Sequence, residues 1–146
     1  MAYLLSIQVN PSVCVLSPRT SGLSHYSEEL IRKRVVRKAN GKIAMNLADL
    51  GLRSFPQSVL DLASEVEELD LSYNFFDNLS CVTKLFKTVA NLTINGNQFL
   101  SSPHMNGIDT LAKLEILQAT SCEFTTIPPD IKNNTMLMRL NLASNR

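Results

Sequence analysis

Apolar residues recur along most of this chain in one fixed spacing, in which two alternating apolar positions are followed three residues later by a usually polar position and then by another apolar one. The polar position falls at Leu50, Asn74, Asn97, Cys122 and Asn145, in steps of 24, 23, 25 and 23 residues. Such regular spacing indicates a chain built from repeated units.

Within each unit the alternation predicts a short β-strand with one inward face. Leu69 and Leu71 fall on one side, whereas Glu68, Asp70 and Ser72 fall on the other. One unit cannot bury its apolar face alone, so the strands are expected to stack in parallel and form a curved solenoid with a concave strand surface. An asparagine amide in the polar column can satisfy backbone groups where the chain turns away from the strand.

These residues resemble the consensus L-x-x-L-x-L-x-x-(N/C)-x-L of the leucine-rich repeat family, in particular its short intracellular members. Phe55-Pro56 and Ile127-Pro128 follow two of the strands as the family pattern expects, and Leu50 departs from it. The resemblance implies an α/β fold, a right-handed solenoid with parallel strands on its concave face. Residues 42–146 would hold four units and an incomplete fifth, and the stop at Arg146 suggests a longer parent chain.

The family usually binds partner proteins on that concave face, so the outward positions are the candidate binding residues. A group that joins charge with aromatic area is the combination that tends to dominate binding energy at interfaces. The candidates are Glu68, Asp70, Tyr73, Phe75, Asn95 and Gln118. The alternative interpretation is that they are merely solvated strand positions.

A basic segment precedes the repeats. Ser27 with two acids after it predicts a helix start and Asn40-Gly41 a stop, which gives a helix over 28–39 inside a capping segment, 27–41. Two roles stay open: covering the first end of the solenoid, or acting as a nuclear localisation signal or phosphate contact. The basic residues concerned are Arg32, Lys33, Arg37 and Lys38. The second role makes a nuclear or nucleic-acid-associated adaptor the alternative function.

Residues 1–26 are interpreted as a disordered or otherwise uncertain tail. Tyr3–Val9 is apolar enough for a secretory signal, but no basic residue precedes it. Alternation along the same stretch also suits a small hairpin.

Composition narrows the classes of protein to which this chain could belong. A chain of 146 residues with 45% hydrophobic and 18% charged residues suits one globular domain, and no apolar run approaches the ~20 residues that cross a bilayer. The net charge of +1 divides into a basic segment, 1–42, and an acidic remainder.

The potentially reactive residues are few and scattered. His25 and His104 stand apart, and the three cysteines lack zinc-ligand spacing. Cys81 and Cys122 are therefore expected to be buried thiols in a reducing compartment, cytoplasmic or nuclear. We expect no catalytic residue, metal or cofactor, and a partner protein rather than a substrate.

Overall fold

The computed structural model describes residues 28–99 and 107–146. In this part of the chain a single sheet carries six strands, hydrogen-bonded in sequence order. They are β1 (Val35–Arg37), β2 (Ile43–Asn46), β3 (Val66–Asp70), β4 (Asn91–Thr93), β5 (Ile116–Gln118) and β6 (Arg139–Asn141). The pairing of β1 with β2 is antiparallel, and every later pairing is parallel. Each parallel step advances by one repeat, as stacking of the units requires.

One short helix precedes β1, and further short helical segments return the chain from each strand between β2 and β6 to the next. They are α1 (Glu28–Lys33), α2 (Gln57–Leu60), α3 (Ser80–Leu85) and 3₁₀ turns at Ala63–Glu65, Ile108–Thr110 and Pro129–Asn133. Apolar residues at helix-like intervals over 57–63 and 82–88 predict helical turns after β2 and β3, and α2 and α3 are present there. The polar residues 130–134 predict a loop or a single 3₁₀ turn, and a 3₁₀ turn spans Pro129–Asn133. A loop or 3₁₀ turn is also predicted at 101–107, which lies outside the described residues except for Gly107.

The inward strand residues form the core between the sheet and the return segments. Leu69, Leu71, Leu92 and Leu117 are each at most 2% exposed. In the return segments the ring of Phe55 lies 5.1 Å from that of Phe76 and 5.0 Å from that of Phe86, centroid to centroid. These offset, tilted rings bury large apolar area with favourable aromatic geometry. The inward face predicted from the alternation is confirmed.

The predicted helix over 28–39 is wrong beyond Lys33. The chain leaves α1 there and enters β1, which pairs with β2 in the register Val36 to Ala44. Two consecutive β-branched valines favour a strand over a helix, and pairing with β2 satisfies their backbone groups.

Asn40-Gly41 turns this hairpin and does not end a helix. The Gly41 amide donates to the Lys38 carbonyl and the Lys38 amide to the Lys42 carbonyl, while Gly41 has φ +78°. This three-residue loop with a left-handed glycine is a common hairpin connection. The first end of the solenoid is therefore covered by α1, whose Ile31 is 2% exposed, together with β1.

Candidate functional site

The outward strand residues form two straight columns across the sheet. Each column takes one residue from each strand, because equivalent residues of successive repeats pair with one another across neighbouring parallel strands. The first column is Ala44, Glu68, Asn91, Ile116 and Arg139, and the second is Asn46, Asp70, Thr93, Gln118 and Asn141. The repeat spacing of the sequence therefore places on one surface side chains that are about 24 residues apart along the chain.

A shallow, open groove of about 380 Å³ runs over these columns. Glu68, Asp70 and Gln118 line it, as do Arg34 and Val36 from the first hairpin and its approach. The groove has a mixed character: aliphatic at Val36, which is 60% exposed, and polar or acidic along its centre. Three of the six candidate binding residues thus share one surface.

Tyr73 and Phe75 do not line this groove. They follow β3 on the loop that leaves the strand, a region we call the rim, comprising Asp49, Gly51, Arg53, Tyr73, Phe75 and Gly96. Tyr73 is 65% and Phe75 45% exposed. The Arg53 guanidinium carbon lies 5.0 Å from the centroid of the Phe75 ring, within cation–π distance. The single cluster expected from the sequence is therefore divided between groove and rim.

Asn95, the remaining candidate, has a structural contact. Its Oδ1 accepts a hydrogen bond from the Thr120 amide at 2.8 Å, joining the turn after β4 to the turn after β5. Asp70 also makes a local bond, since its Oδ1 accepts from the Ser72 amide at 2.9 Å. This Asx-type turn leaves the second carboxylate oxygen of Asp70 available to a partner.

A column of left-handed residues, which the sequence did not predict, crosses the rim and continues along the equivalent turns of the later coils. In every coil the residue immediately before the asparagine column has positive φ. These residues are Asp49 (φ 57°), Tyr73 (56°), Gly96 (65°), Ser121 (53°) and Ser144 (58°). Only one of the five is glycine, so composition gave little signal, although their constant distance from the asparagine column marks the same turn in every unit.

The asparagine column forms the expected ladder of backbone contacts. Asn74 Oδ1 accepts from the amides of Leu50 and Leu52, and its Nδ2 donates to the Leu47 and Leu71 carbonyls. Asn97 and Asn145 make corresponding contacts one and three coils later. Cys122 takes the same place with a weaker donor, its Sγ lying 3.1 Å from the carbonyl oxygen of Ile94.

The basic residues before the repeats are largely paired with acids. Arg37 Nη1 contacts Glu65 Oε2, and Lys38 Nζ bridges Glu67 and Glu68 at 2.7 and 2.5 Å. The hydrogen bond that Lys38 donates lowers the pKa of the Glu67 carboxyl, and the bonds that Lys38 donates to both glutamates raise its own pKa.

The other two members of this basic set lie on α1. Lys33 pairs with Glu29 one helical turn away, and Arg32 is exposed. Three of the four cations thus serve contacts within the chain.

Comparison with known proteins agrees with this architecture. No family model matches the chain. A leucine-rich repeat protein of Leptospira interrogans superimposes with a TM-score of 0.58 at 18% identity, covering 70% of this chain and 31% of the other. This chain has the leucine-rich repeat fold. The resemblance to leucine-rich repeats predicted from the repeat spacing is confirmed, as is the α/β solenoid, while the narrower likeness to short intracellular members stays a prediction.

A curated relative carries the same repeat in its name. It is an Arabidopsis thaliana protein described as containing LRR repeats and a ubiquitin-like domain, 33% identical over 92 residues. The match covers 62% of this chain but 24% of the relative. The chain thus spans about a quarter of that relative's length.

The cysteines of this leucine-rich repeat chain differ from expectation. Cys122 is a fully buried free thiol whose pKa is raised by burial, as predicted. Cys81, however, is half-buried and disulfide-bonded, so the prediction of a free buried thiol there is wrong. The sequence distance between the cysteines gave no spacing signal for such a bond. Cys14, His25 and His104 lie outside the described residues.

Residues 28–99 and 107–146 hold no group of three or more His, Cys, Asp or Glu placed to bind a metal ion. Over the same residues, no helix has the length and apolar character needed to span a membrane.

Proposed function

We propose that this leucine-rich repeat chain is a non-catalytic scaffold that binds a partner protein on the concave face of its repeats. The observation that carries the proposal is the in-register groove over β2 to β5. Its floor combines the carboxylate of Asp70 with uncharged polar side chains such as Thr93 and Gln118 and with aliphatic Val36. A surface of this mixed character provides the polar and apolar contacts that protein interfaces use.

The openness of the groove supports binding of a protein segment over catalysis. Catalytic sites hold a nucleophile, base or metal in a concave pocket that excludes water. Here the groove lies across exposed strand positions, and the buried thiol of Cys122 lies on the opposite, inward side of the sheet. A metal or cofactor plays no part in the proposed function.

The nuclear or nucleic-acid-associated adaptor is the weaker alternative. Phosphate binding depends on cations that can replace counterions. Arg37 and Lys38 already contact Glu65, Glu67 and Glu68, so a phosphate would compete with carboxylates of the same chain.

The compartment is part of the same proposal. The sequence favours a reducing, cytoplasmic or nuclear location over an oxidising one, and binding on the concave face requires neither. We therefore treat the concave-face scaffold as independent of compartment. Intact mass measured with and without reductant on protein from its native source separates the two locations.

Affinity capture followed by mass spectrometry tests the scaffold function. The immobilised wild-type chain is compared with Thr93→Arg, which introduces a long cation in the middle of the groove, and with Ser64→Arg, which introduces the same side chain on an exposed return turn. A partner retained by wild type and Ser64→Arg but lost by Thr93→Arg supports the proposal. A partner retained equally by all three contradicts the concave face as the binding surface.

A further inference from the structure

Tyr73 is an exposed aromatic side chain held in a fixed position on the rim. One face of its ring lies against Gly96 in the next coil, so closely that a β-carbon on Gly96 would be 2.6 Å from Tyr73 Cδ1. Its backbone is fixed as well, because the Tyr73 amide donates to the Asn95 carbonyl at 2.7 Å. The side chain remains 65% exposed. Tyr73 therefore presents the opposite ring face to solvent with little rotational freedom left to lose on binding.

Two aspartates lie beside the turn that carries Tyr73. Asp49 occupies the same turn position one coil earlier, and its amide donates to the Ser72 carbonyl. The Asp70 carboxylate accepts from the Ser72 amide. Both aspartates thus contact the residue that precedes Tyr73. In residues 28–99 and 107–146, the acids that form ion pairs are glutamates, and neither of these aspartates has a cationic partner.

The neighbouring aromatic residue, Phe75, already has a guanidinium stacked on its ring. Phe75 carries the Arg53 guanidinium over its ring, supplied by the chain itself. Phe75 also lies beside a left-handed glycine of the adjacent coil, Gly51, at 3.8 Å from a β-carbon built there. Tyr73 and Phe75 are thus placed alike on opposite sides of one turn, but in the described part of the chain only Phe75 has a cation stacked on it.

We propose that the Tyr73 rim site, formed by Tyr73, Asp49 and Asp70, binds an arginine side chain of the partner protein. The guanidinium would stack on the exposed ring face and donate hydrogen bonds to the two carboxylates. A planar guanidinium can do both at once, whereas a lysine ammonium is a compact, strongly hydrated point charge. The inference rests on the proposed function because it takes the partner to be a protein. The site adjoins the concave groove and shares Asp70 with it.

The test uses the full chain, labelled with ¹⁵N, and short peptides as probes. Acetyl-Gly-Arg-Gly-amide is titrated against acetyl-Gly-citrulline-Gly-amide, which has nearly the same shape without the charge, and against the lysine equivalent. We expect amide shifts centred on Ser72 and Tyr73, with arginine binding at least about threefold more tightly than citrulline, as expected for an exposed cation–π contact. Equal binding of arginine and citrulline, or shifts centred elsewhere, would overturn the proposal.

Variants separate stacking from charge. Tyr73→Phe should retain arginine binding and Tyr73→Ser should lose it. Asp49→Asn and Asp70→Asn keep the local hydrogen-bonding shape and should each weaken it, whereas Asp130→Asn, an exposed acid on a return segment, should not. Unchanged arginine binding by a folded Tyr73→Ser chain would contradict the stacking role.

The outcome is distinguishable from failure of the scaffold proposal. Thr93→Arg does not separate the two sites, because Thr93 pairs in register with Asp70. Gln118→Trp fills the groove two strands away from Asp70 with an uncharged side chain, so it should abolish capture of the partner and leave the peptide shifts at Tyr73 in place. Suppose that Gln118→Trp abolishes capture of the partner, while Tyr73→Ser changes neither the capture nor the peptide shifts. The groove would then be the binding surface, and the proposed rim site would be wrong.

Discussion

The ring of Tyr73 packs on the α-carbon of Gly96, with no room for a β-carbon between the two coils. Gly96 also has φ +65°, a conformation that L-residues with side chains adopt at a cost. Two independent factors therefore favour glycine at one position: a left-handed backbone, which other coils tolerate with a side chain, and a close aromatic neighbour, which leaves no room for one.

Gly96→Ala should accordingly destabilise the chain more than Gly41→Ala. Gly41 has a similar φ of +78° but nothing within 4 Å of a β-carbon built there, so its substitution reports backbone strain alone. We expect a loss of about 1 kcal/mol for Gly41→Ala and about 2–3 kcal/mol for Gly96→Ala in urea denaturation. Tyr73→Ala should remove the steric part, so Gly96→Ala measured in that background should cost no more than Gly41→Ala. Equal losses for the two alanine variants in the wild-type background would show that the Tyr73 ring moves aside freely.

Asn97→Leu should destabilise the chain despite adding apolar area. The Asn97 amide donates to the Leu71 and Ile94 carbonyls, and its oxygen accepts from the Phe76 amide in a region that is 1% exposed at Asn97. Leaving such buried groups without partners costs about 1–3 kcal/mol.

Asn95→Leu provides the comparison on the strand-exit side. Asn95 satisfies only the Thr120 amide and is half-buried, so its loss should cost less than about 1 kcal/mol. If chemical denaturation ranks Asn95→Leu as equally harmful, the ladder does not contribute more than an ordinary turn contact.

Leu92→Ala should cost about 2–5 kcal/mol, because this inward residue lies between two coils that cannot close the resulting cavity. Leu92 is fully buried and pairs in register with Leu69 and Leu117. Thr93→Ala, one position along on the groove side, should stay within about 0.5 kcal/mol. A larger loss for Thr93→Ala than for Leu92→Ala in denaturant midpoints would reverse the inward and outward assignment.

The features of the fold and of the candidate site that the repeat spacing determines could be predicted from the sequence, whereas those that depend on particular contacts between coils could not. The strands, their register and the two outward columns follow from the repeat, because stacking forces equivalent residues such as Asp70 and Thr93 to align. The first hairpin was missed although Asn40-Gly41 is a hairpin signal, since the same dipeptide also ends helices.

The repeat pattern predicted neither the arrangement of the rim nor the burial of one side-chain amide, that of Asn134. Asn134 belongs to a polar stretch, yet it is 5% exposed and its Nδ2 donates to the Ile108 and Leu111 carbonyls of the preceding coil. The seating of Tyr73 on Gly96 depends on φ values and on contact between coils. Neither is encoded in the spacing of apolar residues.

The contacts between the first hairpin and β3 should respond to pH in a definite direction. Lys38 lowers the pKa of Glu67, so the stabilisation from this carboxylate is present above its unfolded pKa of about 4 and is lost as pH falls through the lower folded value. The pKa of Lys38 is raised, so its contribution is present below about 10 and is lost as pH rises through the higher folded value.

Titration of side-chain carboxyl ¹³C shifts measures this coupling. Lys38→Met should return the Glu67 pKa towards its ordinary value, whereas Lys33→Met, which removes the partner of Glu29, should leave Glu67 unchanged. High salt should reduce the shift, because the groups are near the surface. A Glu67 titration identical in wild type and Lys38→Met would contradict the contact.

The opposite edge of the sheet should make the 146-residue chain self-associate. All three residues of β6 are exposed, including the inward-type residue Leu140 at 42%, and Met138 beside them is 70% exposed. An unpaired strand edge next to apolar side chains is a template for pairing with another chain. At the other edge β1 is flanked by Arg34, Arg37 and Lys38, and such charges oppose edge pairing. Met138→Lys should therefore shift sedimentation towards monomer, while Val36→Lys, which places the same side chain at a similarly exposed residue of β1, should not. If only Val36→Lys disperses the assemblies, association occurs through the β1 edge. A wild-type chain that stays monomeric at high concentration would show that the exposed edge of β6 does not cause association.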